Sequence, residues 1–143
     1  MASNSQRAAV LARAIQASIE GDSSVIAEIY SDDVQGWSPA LTISSTAELA
    51  VEFEDRDEAL SDITLEFTPL DVGDDRACIE WVATATHSGP LVSDDETLIE
   101  ATGKRVTLHG VTIADFRGSR IRAFRQYWDE VALLEQLDLL PDD

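Results

Sequence analysis

Residues 104–129 read KRVTLHGVTIADFRGSRIRAFRQYWD, and this stretch decides the fold. Two runs of alternating residues, Lys104 to Phe116 and Ile121 to Asp129, flank Arg117-Gly118-Ser119-Arg120, a hairpin signal. Upstream, Arg76 to His87 alternates in the same way, with Ala77, Ile79, Trp81, Ala83 and Ala85 on one face. Ile63-Thr64-Leu65-Glu66-Phe67 does so again. Between these strands, residues 88–103 read as a long acidic loop around Ser93-Asp94-Asp95-Glu96 that ends at Gly103.

The first half has helical spacing. Ala8, Leu11, Ile15 and Ile19 place a helix over residues 5–20, with Gly21 as its stop. Asp22 or Ser23 caps a short second helix carrying Val25, Ile26, Ile29 and Tyr30, which Ser31-Asp32-Asp33 ends. Val34 to Ser38 and Leu41 to Ser44 read as short strands broken by Pro39. Ser45-Thr46-Ala47-Glu48 fits a capping box, opening a third helix to about Asp57 with Leu49, Ala50 and Phe53 inward. Glu130 to Asp138 forms a closing helix with Val131, Leu134 and Leu137 at helical spacing, stopped by Pro141. Helices followed by a mostly antiparallel sheet predict an α+β fold. A long twisted sheet with helices on one face curls around them, so we expect a conical barrel with an internal pocket for a small molecule. Without a linker, repeat or composition shift, residues 1–143 read as one domain.

Composition narrows the function. Among 143 residues, 44% are hydrophobic and 27% charged, with seven Gly and four Pro, as in a globular chain. The 28 Asp and Glu against 10 Lys and Arg leave a net charge of −18, which repels phosphate backbones and anionic membranes. Nucleic-acid and membrane partners are therefore not expected. Cys78 is the single cysteine, so neither an internal disulfide nor a thiolate cluster is available. No secretory leader or membrane-length apolar run is evident, and the expected location is the cytoplasm.

Three local patterns extend this reading: Ala85-Thr86-His87-Ser88-Gly89-Pro90, Thr102-Gly103-Lys104-Arg105-Val106, and Tyr127-Trp128-Asp129 followed by Leu133-Leu134-Glu135-Gln136-Leu137. With the element order, they resemble the SnoaL-like polyketide cyclase family of the nuclear-transport-factor-2-like superfamily. Asp138 stands where the family usually has Gly. The resemblance implies intramolecular aldol ring closure without metal or cofactor, with Asp129 as general acid/base. It also implies a small hydrophobic or aromatic carbonyl ligand. The superfold hosts binders as well as enzymes. Ketosteroid isomerases place a base Asp before a Pro, where this chain reads Gly36-Trp37-Ser38-Pro39. Limonene epoxide hydrolases need an Asp-Arg-Asp arrangement, of which Asp129 and Arg125 supply two corners at most.

The candidate residues have competing roles. Asp129 on the wall of an apolar cavity would have a raised pKa suited to moving protons. Directly before a helix, it is equally placed to be an N-cap. His87 at a strand end reads as a carbonyl donor at the pocket mouth or as a histidine bonded to loop backbone. A two-residue turn makes His109 oppose Trp128 and puts Asp129 on one face with Tyr127, Arg125, Gly110 and Leu108; a one-residue bulge would reverse this. Tyr127 is then an oxyanion donor or amphipathic core. Arg125 belongs at the rim or signals a wrong face. Trp37 and Trp81 line a cavity for a flat ligand, or are ordinary core. His87 and His109 are too far apart for a zinc site, and Asp94-Asp95-Glu96 lacks the spacing of a calcium loop. Val111, Ile113, Phe124 and Trp128 on the outer face predict a homodimer.

Overall fold

Helix α1 (Asn4–Glu20) buries Leu11, Ala14, Ile15 and Ala17, which recur at helical spacing. It stops at Gly21, whose φ of 72° is the left-handed conformation that glycine adopts freely, while the Asp22 N–H closes on the Ala17 carbonyl at 2.9 Å. Asp22 then caps a single 3-10 turn, Ser23–Val25; hydrogen bonds from the Ser24 hydroxyl and backbone N–H hold the Asp22 carboxyl below the usual aspartate range. The structure is a computed structural model describing residues 4–38, 42–54, 60–70, 75–92 and 98–138.

After α2 (Ile26–Ile29) the chain turns at once into β1 (Tyr30–Trp37), so Ser31-Asp32-Asp33 opens a strand instead of ending a helix. Ser31 is buried while Asp32 and Asp33 are exposed, and regular strand alternation sets in from Val34, with Val34 and Gly36 buried and Gln35 and Trp37 exposed. β2 (Thr42–Ile43) pairs back on β1; Pro39 and Leu41 lie outside the described residues. The capping box at α3 (Thr46–Glu54) forms, with Ser45 Oγ accepting from Glu48 N–H at 3.2 Å and Glu48 Oε2 accepting from Ser44 N–H at 2.6 Å. The expected run of this helix to Asp57 lies outside the described residues.

β3 (Leu60–Leu70) and β4 (Arg76–His87) form an antiparallel pair. The stretch expected to be a bare loop holds β5 (Leu91–Val92) and β6 (Leu98–Ile99), a small two-stranded sheet of its own; Asp94-Asp95-Glu96 falls outside the described residues. β7 (Arg105–Arg117) and β8 (Arg120–Trp128) form the expected long hairpin, turning at Gly118 with φ 65°. Helix α4 (Glu130–Gln136) closes the described chain.

The main sheet runs β2-β1-β8-β7-β4-β3, antiparallel except where β1 lies parallel to β8. It is curved but open, with β2 and β3 as its edges, so the fold is α+β as expected although the barrel does not close. Helices α1 and α3 lie against its inner face, where Leu11, Ile15, Leu49 and Phe53 meet Ile79, Ala114, Phe116 and Ile121. Each buried Leu, Ile or Phe side chain among them contributes about 1.5–3 kcal/mol. Helix α4 adds a second cluster, packing Leu133 and Leu137 on Val106. Arg7, buried in α1, reaches exposed Asp75 at 3.0 Å and ties the helix to the start of β4. Among the described residues no helix is long and apolar enough to cross a membrane.

Candidate active site

The space left between helices and sheet is a hollow of two lobes. The first, about 190 Å³, lies between α1, α3, β1 and β8, with Leu11, Leu49, Phe53, Tyr30 and Phe124 on its walls. The second, about 200 Å³, lies between α1, β3, β4, β7 and α4, with Ile63, Trp81, Ala83, Leu108 and Leu133 on its walls. Ile15, Ser18, Gln126 and Trp128 line both lobes, so the lobes abut on these four residues.

Two large rings shape the inner wall because glycines face them. Trp81 lies across from Gly110, and a Cβ at Gly110 would sit 2.1 Å from the indole. Phe124 lies across from Gly36, where a Cβ would sit 2.2 Å from the ring. A strand glycine under an aromatic ring marks such a close approach. The Trp81 indole N–H donates to buried Thr112 Oγ1 at 3.0 Å, which pins the ring.

The lining is apolar with a few neutral polar groups. Tyr30 is buried, and desolvation pushes its phenol far above the usual tyrosine range, so it stays a donor across the working pH range. Ser18 Oγ donates to the Ile15 carbonyl at 2.8 Å, leaving its lone pairs to accept. Gln126 brings an amide to both lobes, and among the described residues no hydrogen bond engages it. Glu52, exposed on α3, is the carboxylate among the residues lining the first lobe. Among the described residues, no three His, Cys, Asp or Glu side chains gather as a metal site would.

A model of the SnoaL-like polyketide cyclase family matches residues 9–137. The chain belongs to that family. No curated protein matches it. Among solved structures it resembles AclR, a proposed hydroxylase from Streptomyces galilaeus, at 27% identity over 98% of this chain and 89% of that one, with a TM-score of 0.77. IdmH, a proposed polyketide cyclase from Streptomyces antibioticus, is 19% identical over 93% and 99%, with a TM-score of 0.73. An LEH-like epoxide hydrolase of M. tuberculosis is 12% identical over 94% and 90%, with a TM-score of 0.67. The last two likenesses are of fold.

Within this SnoaL-like frame, one bulge decides where the expected site residues stand. β8 pairs Gly110 with Trp128, Val111 with Tyr127 and Asp115 with Ala123, then shifts so that Phe116 meets Ile121. The shift leaves Arg122 as the extra residue and reverses the faces that a regular hairpin predicts. His109 does not oppose Trp128, and Tyr127, Arg125 and Asp129 do not share a face with Gly110 and Leu108. Phe124, Gln126 and Trp128 point into the hollow instead. Arg125 and His109 are exposed on the other side, which removes the cost of an unpaired guanidinium in an apolar wall.

Asp129 is exposed and caps α4, accepting the Ala132 N–H at 2.9 Å; it lines neither lobe. His87 is fully buried, and its Nδ1 accepts the Thr102 N–H at 3.2 Å, which leaves the ring proton on Nε2, a buried atom with no partner among the described residues. It lines neither lobe. Trp81 is in the second lobe as expected. Trp37 lines the first lobe while 42% exposed, and meets Tyr127 at a tilt of 50° with ring centroids 5.1 Å apart, so those two are brought together on the outer side. The four expected catalytic residues, Asp129, Tyr127, His87 and His109, do not converge on the hollow. Tyr30, Glu52, Gln126 and Trp128 line it and were not legible as a group; Gly36 and Gly110 were the available signal.

Proposed function

We propose that the chain takes up a small hydrophobic or aromatic carbonyl compound of polyketide-like class in the two-lobed hollow and promotes a cyclase- or isomerase-type proton transfer on it. The observation that carries this reading is the apolar first lobe with Tyr30 and Glu52 on its walls. A carbonyl oxygen seated against the Tyr30 hydroxyl accepts its hydrogen bond. That contact strengthens as negative charge develops on the oxygen, so it favours loss of the neighbouring carbon's proton. Glu52 takes that proton and returns it to the product. Trp81 and Phe124 keep water from the lobes.

A second reading has its own support. Asp129 is occupied as a helix cap, and the lining carboxylate is exposed, which suits a ligand-binding module without chemistry. Deuterium uptake at the α-carbon of 1-tetralone in deuterated water separates the two. The enzymatic reading expects accelerated uptake, lost in Glu52→Gln and reduced in Tyr30→Phe, while Asp129→Asn exchanges as the parent chain does. Binding without any acceleration supports the module, and loss of exchange in Asp129→Asn would restore that aspartate to the chemistry. We further propose a homodimer through the outer sheet face, on which Trp37 and Tyr127 meet.

A further inference from the structure

The volumes of the two lobes, and what lies between them, say more about the ligand than its greasiness. An apolar protein cavity of about 150 Å³ holds one benzene ring. Each lobe, at about 190 and 200 Å³, therefore has room for one ring-sized unit. The residues lining both lobes are mixed in character: Ile15 and Trp128 are apolar surface, whereas Ser18 and Gln126 are polar. The Ser18 hydroxyl already donates its hydrogen bond to the Ile15 carbonyl. Gln126 retains two N–H donors at the same place. Its backbone is set by the strand, since Gln126 pairs with Thr112, whose hydroxyl accepts the Trp81 indole N–H. The waist between two apolar lobes thus carries an amide.

We infer that the ligand is bipartite: two ring-sized apolar units, one per lobe, joined through a carbonyl oxygen that accepts from Gln126 Nε2 at the waist. This deepens the proposed function, resting on the hollow being the substrate site. It makes Gln126 a specificity-determining residue, reading the link, while Tyr30 holds an oxygen of the unit in the first lobe. A ligand without the linking oxygen leaves the amide facing hydrocarbon and forfeits a buried hydrogen bond.

Quenching of tryptophan fluorescence measures the affinities of benzophenone, diphenylmethane and acetophenone for the full chain. Benzophenone has both rings and the linking carbonyl, diphenylmethane lacks the oxygen, and acetophenone lacks a ring. We expect benzophenone to bind with one molecule per chain, at least about tenfold tighter than acetophenone, for the second buried ring. In Gln126→Leu the ratio of the diphenylmethane to the benzophenone Kd falls about tenfold, the worth of one hydrogen bond. Gln126→Met serves as the second variant should the leucine chain not fold. Ala83→Leu, which fills the second lobe, brings benzophenone down to the acetophenone level. An unchanged ratio in both Gln126 variants, or benzophenone affinity indifferent to Ala83→Leu, overturns the inference while the hollow remains the binding site. No binding of any probe, with 1-tetralone still exchanged, also overturns it and spares the proposed function. No binding and no exchange overturns both.

Discussion

At the scale of single residues, the hollow depends on atoms that are missing as much as on atoms present. Gly110 lets the Trp81 indole lie flat on β7, and the Thr112 hydroxyl keeps the ring there. Adding one methyl at Gly110 puts carbon 2.1 Å from the indole, so the pinned ring must move. Gly110→Ala is expected to cost about 1–3 kcal/mol, as overpacking does, and to lower the melting temperature by about 2–4 °C for each kcal/mol. Thermal melts read this directly, and an unchanged melt would mean that the ring is not held. Asp129 tests the opposite kind of contribution. As an N-cap it accepts a backbone N–H, a task asparagine performs about as well and alanine not at all. Asp129→Ala should cost about 0.5–2 kcal/mol and Asp129→Asn only a few tenths, with ligand affinity unchanged in both by fluorescence titration. Tyr30 carries a pH signature. Burial raises its pKa, so above the ordinary tyrosine range the unfolded chain gives up a proton that the folded chain keeps. Its contribution is complete below that range and is lost as pH climbs toward the raised value. In Tyr127→Phe, where Tyr30 is the one remaining tyrosine, tyrosinate absorbance followed alongside circular dichroism should show Tyr30 ionising only as the fold is lost; ionisation in a still-folded chain would contradict its burial.

Elements were far more legible than their register. Leu11, Ile15 and Gly21 announce α1, Ser45 and Glu48 announce the start of α3, and the alternation of Arg76 to His87 announces β4; each depends on neighbours close in sequence. The register of β8 does not. Residues 124–128 read FRQYW, with aromatic and polar groups on both parities, so hydrophobicity cannot say which side faces in. The bulge at Asp115 and Phe116 settles it, and nothing local marks Arg122 as the extra residue. The site was hidden for the same reason: moving the strand by one residue exchanges Tyr127, Arg125 and Asp129 for Phe124, Gln126 and Trp128. Deleting Arg122 removes the extra residue and leaves the other pairings of β8 as they stand, Phe116 with Ile121 and Asp115 with Ala123, so Arg125 and Tyr127 stay on the outer side. We expect the variant to keep a cooperative melt and the near-ultraviolet dichroism of the tryptophans. Loss of both would contradict Arg122 as the extra residue of the bulge.

Across the whole molecule, charge and shape pull against each other. The net charge of −18 opposes any second copy, while Trp37 and Tyr127, 42% and 41% exposed, leave apolar rings on the outer sheet face beside Val111 and Ile113. Phe124 and Trp128, expected on that face, are turned inward and contribute nothing to it. The proposed dimer should therefore tighten as salt screens the repulsion, and Trp37→Glu should weaken it. Sedimentation equilibrium across a salt series reads both effects, and a chain monomeric at micromolar concentration in every salt would exclude the dimer. The proposed substrate side of the molecule is the inner one, where both lobes lie. Nuclear Overhauser contacts between bound benzophenone and the protein's methyl groups test it most directly. We predict simultaneous contacts to Ile43 and Leu49 in the first lobe and to Leu108 and Leu133 in the second. Contacts confined to Val111 and Ile113 on the outer face would contradict it.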